Sequence, residues 1–495
     1  MSSQTIAAPR GARPALDTSV ARYWLPFAGL AAAGLAGMAT PHLGAGTLAA
    51  LLAGGAALLA ALLSGYAALL LLALLLLLPV DLAGPMPAEV NATDVIYAAG
   101  LAGLALRALS NERTHLSPLS LALAAFIVTG VSALMAGILT TGEAQRALSH
   151  FRGLFGYALI PLLVLSVTRE QRRALLTLLC GVGILTAARG VLSWAQLNGL
   201  VHLSGVLLRI ASPDTDDFVG AVPALAGDFG YLRAWAGSFE GNTLGAFVVL
   251  LLPAAAYLAW RSGSVPLRLA VGAGAILLLV ALFVSYSRGA YLGLAATALP
   301  AVVVLSRQRP LAAAALTLGG IALLVFLVSH LPGAEDRLVT LASLSEDPTV
   351  QHRQLVYGEV LDSLTQSPIW GIGLGTSVAN IGTGADSLYL FLPLRGGLLV
   401  TAAFVALCWI AGRRLLAALR AGALTGLDLA VAAGLWGFAV HSIVDYTLWN
   451  PKVALTVWLL IGALMAAALE GHQPSSTAPP DIEPLERRKR GQAQW

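Results

Sequence analysis

Charged side chains are scarce in this 495-residue chain, where Asp, Glu, Lys and Arg make up 11% of the residues and hydrophobic residues make up 58%. An average soluble domain carries about 25% charged residues, so the composition excludes a soluble globular protein. Apolar runs long enough to cross a bilayer, about 17 to 25 residues each, recur along nearly the whole chain. The sequence therefore predicts an all-α integral membrane protein, a bundle of about 12 to 14 transmembrane helices.

Cysteine and lysine are also rare. Cys180 and Cys408 both lie inside apolar runs, so they indicate neither a disulfide framework nor a structural zinc site. Lysine occurs only as Lys452 and Lys489, and the net charge of +4 reflects arginines in short loops between apolar runs. These arginines do not form a basic stripe, so the charge indicates membrane topology and excludes nucleic acid as a partner.

The short basic loops all fall on one side of the membrane, and both basic ends of the chain fall on the same side. The positive-inside rule makes this side cytoplasmic, which predicts a multi-pass protein with both termini in the cytoplasm. The first apolar run, which follows Arg10, Arg13 and Arg22, is interpreted as an uncleaved signal anchor. The loops that set the orientation contain Arg107 and Arg113; Arg169, Arg172 and Arg173; Arg261 and Arg268; Arg307 and Arg309; and Arg413, Arg414 and Arg420.

The alternation of apolar and polar stretches predicts seven segments. The largest polar one is predicted to be partly helical, because its apolar residues between 347 and 366 have the spacing of an amphipathic helix on a membrane surface. The segments are a cytoplasmic N-terminal tail (1–22), N-terminal transmembrane helices (23–197), a first periplasmic segment (198–242), core transmembrane helices (243–330), a large periplasmic loop (331–386), C-terminal transmembrane helices (387–470) and a disordered cytoplasmic tail (471–495).

One arginine, Arg288, stands between two membrane-length apolar runs, in the stretch Ser-Tyr-Ser-Arg-Gly-Ala-Tyr-Leu-Gly at 285–293. A guanidinium at membrane depth costs about 2.5–3.5 kcal/mol on insertion scales, so this position needs a compensating role. Near the outer boundary, the planar fork of donors suits the phosphate oxygens of a lipid-linked substrate. The alternative is an interfacial arginine that reaches lipid headgroups and sets the depth of the helix.

Two further polar elements are predicted to meet Arg288 on the outer face. One leads directly into the apolar run that begins near 243, and the other is the large loop, which also contains a glycine string at 371–375. No strand precedes the string, so it is not a dinucleotide-binding motif, and close backbone packing against a neighbouring helix is the favoured interpretation. The candidate side chains are Arg233 and Glu240 in the first element, and His352, Arg353 and Asp386 in the second.

These residue types are typical of a site that handles a diphosphate. Arginines stabilise the charge that develops on a departing diphosphate, and a carboxylate or histidine accepts the proton of an attacking hydroxyl. Because diphosphate is a good leaving group, neither a metal nor a general acid is required, and no cofactor is predicted. The predicted diphosphate-binding residues are Arg233, Arg288 and Arg353, and the candidates for proton acceptor are Asp386, Glu240 and His352; for each of them alone, a structural salt bridge is the alternative.

His441 and Asp445 lie near the end of a late apolar run, four residues apart, a spacing that places both on one face of a helix. A metal site needs a third ligand, and the sequence offers none, so no metal site is predicted. Two interpretations remain, namely hydrogen bonding between neighbouring helices and a polar surface that faces the substrate.

These motifs resemble the bacterial O-antigen ligase and polysaccharide polymerase superfamily. The stretch Ser-Arg-Gly-Ala-Tyr-Leu-Gly at 287–293 is similar to the most recognisable signature of that family, and the stretch from Arg233 to Pro253 is similar to the pattern that precedes it. Arg353 and the glycine string are similar to the large periplasmic loop of the family. The resemblance covers roughly residues 225–465.

The resemblance implies an inverting, metal-independent glycosyltransferase of the bacterial inner (cytoplasmic) membrane. It would move an undecaprenyl-diphosphate-linked oligosaccharide or polysaccharide onto an acceptor hydroxyl at the periplasmic face. Its partners would be that polyprenyl-diphosphate-linked glycan donor, a glycan or lipid-linked acceptor, and the lipid bilayer. Ligases of the family carry a histidine where this chain has Asp386 and Ser387. The difference leaves the proton acceptor open, and it favours a polymerase or a divergent relative over a ligase that uses a lipid A-core acceptor.

The competing interpretation is a transporter or flippase for lipid-linked sugars or other polyanions, which would also place arginines near membrane depth. Transporters usually carry paired repeats and broken helices around a midplane site, and neither is evident in this sequence. The polar groups are instead predicted to gather at one face, which favours chemistry at that face over passage through the bilayer.

Overall fold

A computed structural model describes residues 55–57, 59–61, 64–77, 92–110, 118–202, 204, 234, 236, 240–308, 311, 314, 318, 329, 348–378 and 387–470. Within these residues the regular elements are helices, and no strand forms beyond the isolated bridge residues Ala236 and Val378. The predicted all-α membrane fold is confirmed. The two predicted tails, and all or part of the apolar runs before residue 64 and between 309 and 330, lie outside the described residues, so the predicted helix count stays a prediction.

In chain order the described helices are α1 (Gly65–Leu75), α2 (Ala92–Ser110), α3 (Pro118–Thr141), α4 (Ala144–Leu154), α5 (Ile160–Leu165), α6 (Arg169–Leu197), α7 (Gly241–Arg261), α8 (Val265–Val284), α9 (Arg288–Gln308), α10 (Pro348–Gln366), α11 (Leu388–Arg420), α12 (Gly426–His441) and α13 (Pro451–Glu470). Short turns join α3 to α4, α7 to α8, α8 to α9 and α11 to α12, whereas longer segments lie between α6 and α7 and between α9 and α10. Among the described residues, seven segments are long and apolar enough to cross a membrane: α3, the stretch Ala144–Leu165, α6, α7, α8, α11 and α13.

Helix α13 lies at the centre of the described bundle. Its most apolar stretch is 83% buried inside the protein, against 33% for the corresponding stretches of α3 and α8. It packs against α5, α11 and α12 and begins where the Asn450 side chain accepts hydrogen bonds from the backbone N–H groups of Lys452 and Val453. An asparagine cap followed by Pro451 at the first helical position is a favoured helix start. The exposed sides of α3 and α8 are apolar and suit contact with lipid.

Helix α7 packs closely against α8, α9 and α12. Glycines permit the close approach of these helices: a methyl group at Gly245 on α7 would lie 2.6 Å from the Cβ of Ala290 on α9. Helix α9 in turn packs on α12, where a methyl group at Gly293 would lie 2.8 Å from the carbonyl oxygen of Gly437. Small residues are typical of transmembrane helix contacts, because van der Waals packing replaces the hydrophobic driving force that lipid removes. This packing brings the first turn of α9 beside the last turn of α12.

The predicted amphipathic helix of the large loop is confirmed as α10. Its buried face is narrower than the sequence pattern indicates, because Val356 and Val360 are buried while Leu355 and Leu361 are exposed. Val356, Val360 and the partly buried Leu364 follow one another at intervals of four residues, so a single stripe of α10 rests on the bundle, and Leu355 and Leu361 lie outside it. The stripe carries Arg353, one turn before Val356.

After α10, residues 367–378 form a strap that contains the glycine string. Gly371, Gly373 and Gly375 have φ angles of 69°, 88° and 78°, in the left-handed region that side chains disfavour. Each also touches backbone: a methyl group at Gly371 would lie 2.6 Å from the carbonyl carbon of Arg395, and one at Gly375 would lie 2.7 Å from the nitrogen of Ala147. The favoured interpretation of the string, close packing of backbone on backbone, is confirmed.

The strap binds α3 and α11 through its backbone. The N–H of Leu374 donates to the carbonyl of Ala133 on α3 (3.0 Å), and the N–H of Ile372 donates to the carbonyl of Leu394 on α11 (2.9 Å). Helix α11 is kinked at Gly397, where φ is 63°, and the strap packs against this kink. The large loop is therefore anchored in the bundle two turns below the start of α11.

We expect Gly373→Ala to destabilise the protein by about 1–3 kcal/mol, because a Cβ there combines a left-handed φ with overlap of the Gly137 backbone nitrogen. The measurement is thermal unfolding of the purified protein in detergent. The matched control is Gly412→Ala on α11, where a new methyl group meets nothing within 4 Å and alanine favours the helix. Equal melting temperatures for the two variants would contradict the packing role.

Candidate functional site

The turn that presents Arg288 is short and firmly held. Helix α8 ends at Val284, and Ser285, Tyr286 and Ser287 are all buried. Tyr286 has a φ of 50°, a left-handed conformation that costs a bulky residue about 1–2 kcal/mol. The Ser287 hydroxyl accepts a hydrogen bond from the N–H of Ala290 (3.3 Å), so it caps α9. Arg288 is thus the first residue of α9, half-buried, at a helix N-terminus whose dipole favours an anion.

His441 lies directly beside this turn. A methyl group at Gly289 would lie 3.2 Å from Cδ2 and 3.3 Å from Nε2 of the His441 ring. The histidine is 0% exposed, and neither of its ring nitrogens has a hydrogen-bond partner in the described part of the chain. Buried polar groups are nearly always hydrogen-bonded, so a buried imidazole with two unused nitrogens is a mark of a ligand site.

Arg353 reaches the same place from the large loop. Its guanidinium is close enough to interact electrostatically with the His441 ring. The Nε of Arg353 is buried, and it has no hydrogen-bond partner within the described ranges. Helix α10 is held in this position by Val356 and Val360, which are buried on the same stripe. The structure therefore brings Arg353 to the His441 end of α12, close to the turn that carries Arg288.

The start of α11 docks on the end of α12. The N–H of Leu388 donates to the carbonyl of Ser442 (3.0 Å), and the hydroxyl of Tyr389 donates to the carbonyl of Ala439 (2.9 Å). Ser387 is buried, and its hydroxyl lies 3.4 Å from the same Ser442 carbonyl. Asp386 precedes Ser387 in the chain and lies outside the described residues.

The segment before α7 joins the site from the other side. The N–H of Ala234 donates to the carbonyl of Val284 (2.9 Å), at the point where α8 ends, and Ala234 is buried. Arg233 precedes Ala234 and lies outside the described residues. Glu240 is half-buried at the N-terminus of α7, where its carbonyl accepts a hydrogen bond from the Thr243 hydroxyl (2.9 Å).

His352 and Asp445 are the remaining residues that the sequence singles out. His352 lies on α10, and only its backbone is among the described atoms. The prediction that His441 and Asp445 share a helix face is wrong, because α12 ends at His441 and Asp445 lies half-buried in the turn that follows. After His441 the backbone forms tighter turns, in which the N–H of Val444 donates to the carbonyl of His441 (3.1 Å), and the Ser442 carbonyl accepts the N–H of Leu388 from α11. Among the described residues, no three His, Cys, Asp or Glu side chains come together as a metal site needs.

Sequence reasoning missed Arg395, which the structure identifies as the anchor of the strap. Its side chain is 1% exposed and donates to the carbonyls of Gly373 (3.4 Å) and Thr376. Its guanidinium also lies 5.7 Å from the centroid of the Phe391 ring. The sequence does carry a signal for it, because Arg395 lies eight residues inside a predicted apolar run and directly before two glycines. An arginine at membrane depth is energetically costly and is almost always paired with a hydrogen-bond acceptor or a charge.

The turn between α12 and α13 contributes a buried phenol next to this anchor. The Tyr446 ring stacks on Phe391 with centroids 3.9 Å apart, and the Tyr446 hydroxyl has no hydrogen-bond partner in the portion of the chain that is described. Burial raises the pKa of Tyr446 above its ordinary value near 10, although the positive charge of Arg395 acts in the opposite direction. Tyr446 therefore stays protonated and serves only as a neutral hydroxyl.

An apolar cavity of about 520 Å³ runs between α11, α12 and α13. At one end it is lined by Leu388, Tyr389 and Ser442, the residues that join α11 to α12 beside His441. At the other end it reaches Arg414 and Ala468, near the opposite ends of α11 and α13. The cavity therefore ends at the contact between α11 and α12, next in sequence to His441.

A comparison with curated protein sequences found no match. Residues 273–405 match the family model described as O-antigen ligase. The matched stretch runs from α8 through the Arg288 turn and the large loop into α11, so it contains Arg288, Arg353, the glycine string and Arg395. This match confirms the resemblance seen in the sequence: the chain is a multi-pass membrane protein in which residues 273–405 are similar to the O-antigen ligase family.

Proposed function

We propose that this protein transfers a glycan from a polyprenyl diphosphate to an acceptor hydroxyl at the periplasmic face of the bacterial inner membrane. The observation that carries the proposal is the buried His441 ring, with both nitrogens unused by the described fold, beside the Arg288 turn and within electrostatic range of Arg353. A purely structural histidine would be expected to use at least one of its nitrogens in the fold.

Arg288 and Arg353 are the proposed diphosphate-binding residues, and Arg233 joins them from the segment that Ala234 ties to the end of α8. Guanidinium groups form short, charge-assisted hydrogen bonds with phosphate oxygens, and their fork geometry can engage two oxygens at once. The N-terminus of α9 adds backbone N–H groups and a favourable dipole. These groups stabilise the diphosphate most strongly when it carries the extra negative charge of the leaving group.

The proposed reaction is a single displacement at the anomeric carbon. The oxygen of the acceptor hydroxyl forms a bond to that carbon, and the bond between carbon and diphosphate oxygen breaks with its electron pair on the diphosphate. The configuration at carbon inverts, the hydroxyl proton passes to a base on the protein, and the polyprenyl diphosphate leaves as an anion held by the arginines. No metal is needed for this balance, because the arginines supply the positive charge.

The base in this reaction is the side chain that accepts the proton of the acceptor hydroxyl. Asp386, Glu240 and His352 are candidates from the sequence, and the geometry adds His441, whose ring nitrogens have no hydrogen-bond partner among the described residues. Glu240 sits at the N-terminus of α7, and Asp386 adjoins Ser387, which docks on Ser442 next to His441. We assign proton acceptance to His441, with Asp386 as the nearest alternative, because a neutral imidazole is the side chain best suited to proton transfer near neutral pH.

The cavity between α11, α12 and α13 is the proposed site of the polyprenyl tail. One end of it is lined by Leu388 and Ser442, beside the proposed diphosphate site, and most of its lining is apolar, with side chains such as Leu392, Phe404 and Leu464. Burying apolar chain surface stabilises a lipid by about 25 cal/mol per Å², so the tail supplies binding while the arginines act on the headgroup.

The test incubates the purified protein with a defined polyprenyl-diphosphate oligosaccharide, with and without a chelator, and separates the products. We expect glycan transfer that is equal in both conditions, with a ladder of products for a polymerase or one discrete shift for a ligase. Complete recovery of intact donor would contradict transfer. Recovery of intact donor on the opposite side of a reconstituted vesicle would establish the transporter alternative.

A further inference from the structure

Arg395 stands at the end of the second turn of α11, two residues before the kink at Gly397. Its side chain is 1% exposed, and a buried guanidinium in a membrane protein is costly unless its surroundings compensate for the lost water. The groups that compensate Arg395 belong to two separate parts of the candidate site. These parts are the strap of the large loop and the turn between α12 and α13, so Arg395 joins them.

The first part is the strap. The Arg395 side chain donates to the carbonyls of Gly373 (3.4 Å) and Thr376, and the Arg395 carbonyl accepts the N–H of Gly373 (3.1 Å). Beyond the kink, the N–H of Leu398 donates to the carbonyl of Pro368 (2.9 Å). The strap is therefore fixed to α11 on both sides of the kink, by its backbone and by the Arg395 side chain.

The strap follows α10 without a flexible linker. Helix α10 ends at Gln366, where the N–H of Ser367 donates to the carbonyl of Ser363 (3.3 Å). The next turn closes on itself, because the N–H of Gly371 donates to the carbonyl of Ser367 (2.9 Å) and the Ser367 hydroxyl donates to the carbonyl of Gly371 (2.8 Å). A displacement of the strap is therefore transmitted to α10, which carries Arg353.

The second part is the turn that follows His441. The ring of Phe391, one turn before Arg395 on α11, stacks on the ring of Tyr446 in that turn, with centroids 3.9 Å apart. The Arg395 guanidinium lies 5.7 Å from the centroid of the Phe391 ring and interacts electrostatically with Tyr446. The same two turns of α11 therefore hold the segment next to His441 and the strap that continues from α10.

Arg353 and His441 depend on this frame for their mutual position. The Arg353 guanidinium is within electrostatic range of the His441 ring. Both ring nitrogens of His441 lack a hydrogen-bond partner within the described part of the chain, so no hydrogen bond between the two side chains sets their separation. Their separation is set instead by where the backbones of α10 and α12 are held.

We infer that Arg395 is a positioning residue, which sets the approach of Arg353 to His441 by holding the strap against the turn between α12 and α13. The inference rests on the proposed function, in which Arg353 binds the diphosphate and His441 accepts the proton. Groups that stabilise a transition state act most strongly when the fold holds them in place beforehand, and a misplacement of about 1 Å can lower a rate about 100-fold. Arg395 acts on the reaction through Arg353 and does not itself contact the substrate.

The test is a double-mutant cycle on the transfer rate, with Arg395→Gln and Arg353→Ala. Glutamine keeps part of the stem and one donor group, but it loses the charge and the planar fork. We expect Arg395→Gln to lower kcat about tenfold in the wild-type background and less than about twofold when Arg353 is already alanine. The second loss is smaller because an absent guanidinium cannot be misplaced.

Arg413→Gln is the matched control, because it makes the same change on an exposed arginine further along α11 and is expected to leave the rate unchanged in both backgrounds. A tenfold loss for Arg395→Gln that is equal with and without Arg353 would overturn the inference. A merely structural role gives that result, since it lowers the fraction of active protein equally in both backgrounds.

Hydrogen–deuterium exchange of the full-length protein in detergent tests the same link without turnover. We expect Arg395→Gln to speed amide exchange about tenfold in α10 and the strap, while exchange in α8 stays at the wild-type rate. Unchanged exchange in α10 would overturn the inference, even if the transfer rate fell. If the wild-type protein transfers no glycan but α10 responds to Arg395→Gln, the link between Arg395 and α10 is retained and the proposed function is rejected.

Discussion

Arg288→Ala is expected to lower the rate of glycan transfer by about 100- to 1000-fold, the usual effect of removing one preorganised group that stabilises a developing anion. Arg288 begins α9 on a turn held by buried serines, so its guanidinium is positioned before the substrate arrives. The loss should appear mainly in kcat, because the arginine acts most strongly on the departing diphosphate. The measurement is the transfer assay with purified protein and a defined lipid-linked donor.

Two further variants separate the effect of the Arg288 charge from the effect of its side-chain geometry and from a general effect on folding. Arg288→Lys keeps the charge but replaces a planar fork with a point charge, so we expect it to remain at least about tenfold below wild type. Arg261→Ala removes an exposed arginine at the other end of α7 and is expected to transfer normally. A wild-type transfer rate in Arg288→Ala would exclude Arg288 from the mechanism. An equal loss of transfer rate in Arg261→Ala would indicate that removing any arginine from this protein impairs it.

His441→Gln is expected to lower kcat by about 100- to 10,000-fold, the range over which general base catalysis contributes. Glutamine retains hydrogen-bonding capacity and similar size but cannot accept a proton at neutral pH, so the fold at the end of α12 should be retained. Thermal unfolding in detergent checks that point. His150→Gln is the matched control, since His150 is a half-buried histidine that contacts Phe391 and has no proposed catalytic role.

Asp386→Asn distinguishes the two candidates for proton acceptor. If His441 is the base, Asp386→Asn should retain most of the transfer rate while His441→Gln loses it. The reverse pattern would assign proton acceptance to Asp386 and leave His441 as a positioning residue. Equal wild-type rates in both variants would exclude both groups.

The membrane class of the protein follows from local properties of the chain. Run length and charge scarcity predict spanning helices directly, because a bilayer accepts only segments that satisfy their own backbone and carry apolar side chains. The cost of an arginine between two such runs singles out Arg288 before any contact is known. The amphipathic spacing that predicts α10 is likewise local, and α10 forms at 348–366.

Other features depend on contacts between distant parts of the chain. Nothing in the local pattern shows that α12 ends at His441, since the residues that follow are apolar enough to continue the helix. After His441 the backbone forms tighter turns, and the Ser442 carbonyl accepts the N–H of Leu388, 54 positions earlier in the sequence. The same holds for Arg395, whose acceptors are carbonyls of the strap rather than neighbours on its own helix.

The amino-acid sequence alone determined that this chain is an all-α, multi-pass membrane protein with arginine-bearing elements and with motifs that resemble those of the O-antigen ligase superfamily. Solvation decides those properties residue by residue, so they can be read from composition and spacing. Only the tertiary structure decided that Gly289 admits the His441 ring beside Arg288 and that the glycine string packs backbone against backbone. Those outcomes depend on which helices become neighbours, and helix neighbours are set by packing of small residues across the bundle.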